Sequence, residues 1–178
     1  MKNLITTILL SVLTLLVSAQ TSQQNKNIIL EEFTGIGCVW CPAGHLIGQT
    51  LHDNNPSDVF LINIHTGGYA NPQGPGTDFN TSFGAAIATQ SNLGGYPAGT
   101  VNRHQFSMTQ NGGTAMSRTD WSSASTQLLN QPSPVNIGMQ ATIDMATNVL
   151  TVDVEVYYTG TQTVSTNMLN VAIVQHNV

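Results

Sequence analysis

The sequence predicts an α/β domain followed by an antiparallel β region. Three observations carry this expectation. Two short apolar runs, Ile28–Phe33 and Val59–Ile64, read as buried strands. Segments with apolar residues at helical spacing separate them and follow them, the alternation of an α/β unit. Beyond Pro134 the texture changes to apolar and polar residues in turn, the period of half-buried antiparallel strands.

The first residues read as a signal peptide, residues 1–19. Lys2 supplies the positive start, Leu4 to Val17 the apolar stretch, and Val17-Ser18-Ala19 small residues for cleavage before Gln20. An anchoring helix is the alternative, but a bilayer span needs about 20 apolar residues and this run is shorter. No cysteine lies near the cleavage point, which excludes a lipid anchor, and no later stretch is apolar enough to span a membrane. Residues 20–27 are polar and are expected to be a frayed lead-in.

The strand Ile28–Phe33 leads into a turn, Thr34-Gly35-Ile36-Gly37. A helix is expected from Val39 to about Asp53, with Leu46, Ile47 and Leu51 on its inner face, stopped by Asn54-Asn55-Pro56-Ser57. After the strand Val59–Ile64 comes a Gly- and Pro-rich loop, His65 to Gly76. Thr77 or Asp78 is expected to cap a second helix reaching about Asn92, with Phe79, Phe83, Ala86 and Ile87 inward. Leu93–Ala98 is a turn holding Tyr96-Pro97. A strand starts at Gly99, runs to Arg103 and continues through His104–Met108. Asp120 caps a last helix holding Trp121, Leu128 and Leu129, and Pro132 and Pro134 stop it. Val135–Ala141, Val149–Tyr157 and Leu169–Gln175 are the expected strands of a sandwich-like region over 134–178. Three strands cannot close a sandwich, so this region is expected to be a truncated piece or to take strands from another chain.

Composition narrows the function. Of the 178 residues, 40% are hydrophobic, enough for a real core. Only 7% are charged, against about 25% in typical chains. Asn, Gln, Ser and Thr supply the polar surface instead, a pattern common in exported proteins. With four Lys and Arg and a net charge of −5, the chain has no basic patch to neutralise phosphates, which excludes nucleic-acid binding. No Ser/His/Asp arrangement has supporting motif context, and no Lys follows Gly67-Gly68 or Gly94-Gly95 to make a phosphate loop.

The residues that carry chemistry are Cys38-Val39-Trp40-Cys41, placed between a buried strand and a helix. Unpaired N–H groups and the macrodipole at a helix start favour a thiolate at Cys38. The two-residue spacing lets Cys41 reach Cys38 and resolve a mixed disulfide, the parts needed for thiol–disulfide exchange. That chemistry needs no cofactor and no metal. Two other readings stand beside it: a purely structural disulfide in an oxidising compartment, and a metal site. Zinc would lack a fourth ligand, whereas copper would be served by Cys38, Cys41 and His45, one helical turn on.

Leu30-Glu31-Glu32-Phe33-Thr34-Gly35 with Cys38-Val39-Trp40-Cys41-Pro42 resembles thioredoxin-like proteins. It is most similar to the secreted twenty-eight-kilodalton outer-membrane-protein-related family of Bacteroidetes-type bacteria. Gly95-Tyr96-Pro97-Ala98-Gly99-Thr100-Val101-Asn102-Arg103 is similar to that family's second landmark. The resemblance covers residues 28–131 and implies a thioredoxin-like fold there, with the β-rich region of the family after Pro134. It implies a cis Tyr96–Pro97 bond facing the cysteines. The Tyr96 backbone would pair with substrate, so Trp40, Tyr96 and Ala98 are the substrate-binding candidates and Cys38, Cys41, Pro97 and Glu32 the catalytic ones.

Glu32 stands where thioredoxins carry a buried acid that serves the second cysteine. Glu31 and Glu32 point to opposite faces of their strand, so one of the two is expected to be solvated. Val-Trp between the cysteines departs from the Gly-Pro of thioredoxin, and Trp40 serves as a substrate platform or as helix packing. Arg103 reads as a structural ion pair, His65 as a capped structural histidine, His104 and His176 as strand residues and His52 as helix surface. The function that follows is a secreted thiol–disulfide oxidoreductase acting on protein thiols and disulfides. The family name implies the outer membrane, with periplasm or exterior as the other locations. The alternatives are a non-catalytic surface-binding module and, third, a copper carrier.

Overall fold

A computed structural model describes residues 19–161 and 165–176; the expected signal peptide lies outside the described residues but for Ala19. Chain contacts divide the described residues into two units, one of 25–132 with 166–176 and one of 19–24 with 133–161 and 165.

The larger unit is built on a four-stranded sheet. Its elements are β1 (Ile28–Thr34), α1 (Cys41–Asn54), β2 (Val59–His65), α2 (Ser82–Gln90), β3 (Ala98–Val101), β4 (Met116–Ser117) and α3 (Trp121–Leu128). The strand order is β2-β1-β3-β4. β1 and β2 run parallel, from Ile28 opposite Val59 to Thr34 opposite His65, with α1 as the crossover that parallel strands require. β3 runs antiparallel to β1, with Phe33 opposite Ala98, and β4 antiparallel to β3.

As a central strand covered on both faces, β1 is buried nearly throughout, its two acids included. Ile28 and Leu30 pack with Leu51, Val101, Met116, Trp121 and Leu128 in one core. Phe33, from the other face, packs with Ile64, Ala88 and Ala115 in a second core. The unit is therefore a mixed α/β layer structure, with α1 and α3 on one face and α2 on the other.

Several expected details differ, each for a physical reason. α1 begins at Cys41, with Trp40 as its N-cap and Pro42 in its first turn, so Cys38 and Val39 sit in the preceding turn. Its buried residues are Cys41, Gly44, Gly48 and Leu51, whereas Leu46 is 69% exposed. Glycines, not large apolar residues, form much of the inner face, and they let the helix lie close to the sheet. α2 is shorter than expected: Thr81, not Asp78 or Thr77, caps it, its Oγ1 accepting from Gly84 N–H at 2.9 Å. Asp78 instead accepts from Asn80 N–H in a local turn. Gly84 and Ala88 are the buried positions of α2, and Phe83 is 80% exposed.

β3 stops at Val101 because Asn102 and Arg103 adopt left-handed φ values of 51° and 47°. His104–Met108 is consequently not strand. The Asn102 side chain holds this turn, accepting from Ile29 N–H at 2.6 Å and donating to the Asn27 carbonyl at 2.8 Å. Asp120 stands at the N-cap of α3 without a side-chain cap hydrogen bond.

The second unit holds one antiparallel pair, β5 (Val135–Asp144) and β6 (Val149–Tyr158), in register from Val135–Tyr158 to Asp144–Val149. Leu169–Gln175 forms no strand and groups with the larger unit, so a three-stranded sandwich piece is not what forms. The lead-in is not frayed. The buried Asn136 amide donates to the carbonyls of Gln20 at 2.6 Å and Ser22 at 2.7 Å, and Ser133 N–H donates to Gln24 O at 2.7 Å. One side-chain amide thus replaces the ladder that a third strand would offer.

Gly99 marks the tightest approach within the sheet. A Cβ there would meet the Glu31 carbonyl at 2.9 Å and the Trp121 ring at 3.0 Å. Ordinary strand preference favours alanine over glycine, yet Gly99→Ala is expected to destabilise the protein by about 1–3 kcal/mol through overpacking. Urea unfolding checks this; an unchanged midpoint would show that β3 and α3 separate freely.

Candidate functional site

The site begins where β1 gives way to α1. Thr34 ends the strand, and Gly35 is buried where a side chain would collide with the Tyr69–Ala70 backbone. Gly37 N–H donates to the Tyr69 carbonyl at 2.9 Å. Cys38 and Cys41 follow as a disulfide with Cα atoms 5.4 Å apart. The Cys41 N–H donates to the Cys38 carbonyl at 3.2 Å, closing the turn between them. Cys41 is 1% exposed and Cys38 8%, while Val39 and Trp40 project at 84% and 66%. No side chain caps the start of α1, and no acidic residue lies in its first turn. The partial positive charge of that helix end is left to act on the cysteine turn.

Beneath the first turn of α1 three expected or buried groups converge on Gly44. A Cβ at this position would meet Glu32 Oε1 at 2.5 Å, Pro97 Cβ at 3.2 Å and the Trp121 ring at 3.2 Å. Glu32 and Pro97 are thus brought together under the helix that Cys41 opens. The Tyr96–Pro97 peptide is cis. Ala98, by contrast, is 1% exposed in the middle of the sheet and offers no side-chain surface.

Both acids of β1 are buried, so the expected solvation of one is not what forms. Glu31, on the opposite face, is held by Arg103 in a bidentate pair, Nε to Oε2 at 2.7 Å and Nη2 to Oε1 at 2.5 Å. Burial of a carboxylate is tolerable only with such a partner. On the inner face Glu32 Oε2 accepts from His45 Nδ1–H at 3.0 Å. Glu32 Oε1 is buried without a hydrogen-bond partner.

His45 Nε2 lies 3.4 Å from Thr34 Oγ1. Its two ring nitrogens therefore face Glu32 and Thr34, and no group of three His, Cys, Asp or Glu among the described residues is placed to hold a metal ion. The copper arrangement of Cys38, Cys41 and His45 does not form. The hydrogen bond to Glu32 raises the His45 pKa above its ordinary 6.5, outweighing the opposing effect of burial. The other histidine nearby, His65 at the end of β2, is shifted down by burial and by His45. Its Nδ1 is buried without a partner, and its ring leans on Phe79 at 5.1 Å.

The loop between β2 and α2 forms the rim. Tyr69 packs edge-on against Tyr96 with ring centroids 5.4 Å apart. Tyr96 also shares a hydrogen bond with Thr66, and burial pushes its phenol pKa up. The cysteine turn and the Tyr96–Pro97 turn are in this way tied to one loop. A separate cavity of about 690 Å³ lies on the Glu31 face, lined among others by Arg103, His65, Phe79 and Phe83; neither cysteine borders it.

Sequence reasoning missed the Glu32–His45 pair and the part of Tyr69. The spacing of His45, four residues after Cys41, was a signal, but it suited a metal ligand equally well. Gly44 and Gly48, one helical turn apart, were the unread sign of a helix face pressed on the sheet.

No family model and no curated protein matches the chain. Among solved structures, HBP35 of Porphyromonas gingivalis is similar at 17% identity and a TM-score of 0.46, covering 66% of this chain. This chain spans 38% of the length of that one. A crystal structure of a protein from Agrobacterium tumefaciens is similar at 12% identity and a TM-score of 0.43, covering 76% of this chain and 74% of that one. Both scores lie below 0.5, so neither likeness bears on the site. No helix of the described residues is long and apolar enough to cross a membrane.

The raised His45 pKa fixes a pH dependence of stability. A group whose folded pKa exceeds its unfolded value contributes fully below the unfolded value, about 6.5, and loses that contribution as pH rises through the folded one. The native protein is expected to lose thermal stability on this account above about pH 6.5, and His45→Gln to flatten that slope. Melting temperatures between pH 5 and 9 check it; parallel curves for the two proteins would place the dependence elsewhere.

Proposed function

We propose that this chain is a thiol–disulfide exchange protein with a thioredoxin-like arrangement over residues 28–131. The observation that carries the reading is the Cys38–Cys41 disulfide at the uncapped entrance of α1, directly above the buried Glu32 and Pro97. The strand order β2-β1-β3-β4, with helices on both faces, supports the fold assignment. Export to the periplasm, outer membrane or exterior rests on the leader-like residues 1–19 alone, and membership of the outer-membrane-protein-related family on its two motifs.

In the reductive direction the Cys38 thiolate attacks one sulfur of a substrate disulfide. A Cys38–substrate disulfide forms, and the second substrate sulfur leaves as a thiolate that takes up a proton. Cys41, having given up its proton, attacks Cys38 Sγ. The Cys38–Cys41 bond closes and the first substrate sulfur leaves as a thiol. Two electrons and two protons pass to the substrate, and the reverse sequence oxidises a dithiol. Glu32, beneath the first turn, is the acceptor for the Cys41 proton. Pro97 walls the groove, Tyr96 offers backbone to an extended substrate segment, and Trp40 an exposed apolar platform.

Insulin reduction and reduced-ribonuclease oxidation test the proposal. Cys38→Ala is expected to abolish both, and Glu32→Gln to slow exchange by about a hundredfold, the lower range for general acid–base assistance, while the protein stays folded. Background rates for the native protein in both assays would defeat the redox reading. A second reading, a binding module with a purely structural disulfide, is favoured by the low exposure of both cysteines. Alkylation of the reduced pair separates the two: a fast thiol at neutral pH belongs to exchange chemistry, a slow ordinary one to the scaffold.

A further inference from the structure

We propose that His45 is a positioning residue: it holds Glu32 as a carboxylate and releases its own Nε2 proton to solvent when Glu32 takes the Cys41 proton as the Cys38–Cys41 disulfide closes. The inference rests on the exchange reading above and adds to it the route by which a sealed carboxyl stays in contact with water.

The problem is geometric. Glu32 is 4% exposed at its side chain, and Oε1 lies under the Gly44 turn without a hydrogen-bond partner. The carboxylate is walled off from water, which leaves its charge to be balanced by a neighbouring group. His45 is the exception in that wall. Its Nδ1 is 3.0 Å from Oε2, and its side chain is 40% exposed. It stands on the residue after Gly44, so the helix turn that leaves room for the carboxylate also presents the imidazole to it. Thr34 Oγ1, 3.4 Å from Nε2, steadies the ring from the strand end.

The protons balance. The resting pair is a carboxylate and an imidazolium. The Cys41 thiol proton enters at Oε1, and the imidazolium releases its Nε2 proton to water. What remains is a carboxylic acid beside a neutral imidazole. The acid then gives its Oε1 proton to the departing sulfur of the disulfide partner while Nε2 takes a proton from water, which restores the starting pair. One proton has moved from the Cys41 thiol to the departing sulfur, and no electron has moved within the pair. The titratable groups that face His45 are Glu32 from β1 and His65 from β2. His65 is shifted down by burial and by His45, and His45 is shifted up, so His45 keeps its proton to higher pH than His65 does.

The test is the rate of disulfide closure in the full chain, reduced and then mixed with glutathione disulfide, from pH 5.5 to 9 (about one unit below the free imidazole pKa to about two and a half above it). His45→Gln keeps a hydrogen bond to Glu32 but cannot titrate. It is expected to close about tenfold more slowly at pH 6, a fraction of what general acid–base assistance supplies. The deficit should shrink as pH rises and the imidazolium is lost in the native protein. Free imidazole is expected to restore the rate of His45→Ala, since the site opens to solvent.

His52→Gln, whose ring only meets the Val59 carbonyl, should match the native protein. A measurement free of substitutions is the His45 ring titration followed by NMR, expected to shift between the oxidised and reduced native protein. An active native protein, with His45→Gln equal to it in rate and pH profile or with a His45 titration indifferent to redox state, overturns the relay alone. A native protein inert in exchange overturns the exchange reading beneath it.

Discussion

Glu32 is the constraint around which one face of the larger unit is arranged. A carboxylate taken out of water must be paired or hydrogen-bonded, and the cost of leaving it bare is large. β1 cannot avoid the burial, because its inner face lies between α1 and α3 and Glu32 follows Leu30 on that face. The sequence meets the constraint on the helix. Gly44 removes the side chain that would strike Oε1, and His45 next to it supplies the hydrogen bond to Oε2. Glycine costs a helix interior about 1 kcal/mol relative to alanine, so its presence in the first turn answers to packing rather than to helix formation. The same opening admits Pro97 and the Trp121 ring, and so brings the loop before β3 under the start of α1.

The neighbouring acid solves the same problem on the other face by other means. Glu31 points away from α1 and meets Arg103, which stands just past the end of β3 in a left-handed turn. That turn is fixed by Asn102, whose side chain pairs with the backbone on either side of Ile28, at Asn27 and Ile29. A fixed guanidinium fork matches a carboxylate at both oxygens, so neither Glu31 oxygen is left without a partner, as Glu32 Oε1 is. Two successive acids on one strand are thereby unequal: one is locked, the other keeps a bare oxygen beneath the cysteine turn. The difference is set by what each face of the sheet carries, not by the acids themselves.

Much of this was legible in the residues. Apolar-rich segments place β1 and β2, and the alternation of apolar and polar residues after Pro134 places β5 and β6. The cysteine pair, Glu32 and Pro97 were found by motif, and the fold does gather the last two under the helix that Cys41 opens. The inner faces of the helices were misread for one reason. Leu46 and Phe83 looked inward because they are large, yet the inner faces of α1 and α2 are formed largely by Gly44, Gly48, Gly84 and Ala88. Hydrophobic periodicity weighs bulk, whereas close helix–sheet approach selects its absence. β4, two residues long, carries no pattern to read, and the end of β3 depends on φ angles at Asn102 and Arg103 that no periodicity encodes. His45 was noticed for its spacing and weighed only as a ligand in the copper alternative, since spacing locates a side chain without saying which neighbour it will meet.

The loop after β2 shows how local rules yield to the site. Surface loops are ordinarily tolerant of change because they bind little. Here Tyr69 spends its carbonyl on Gly37 N–H and its ring on Tyr96. Two glycines mark the fit: Gly35 where a side chain would run into the Tyr69–Ala70 backbone, and Gly67, at φ 68°, where one would run into the Tyr96 ring. One contact lies beside Cys38 and the other beside Pro97. The sheet sets Phe33 opposite Ala98, which joins the strand ends that carry the two turns. Both turns are therefore hydrogen-bonded or packed to a single loop segment, and the position of each depends on the same few residues around Tyr69.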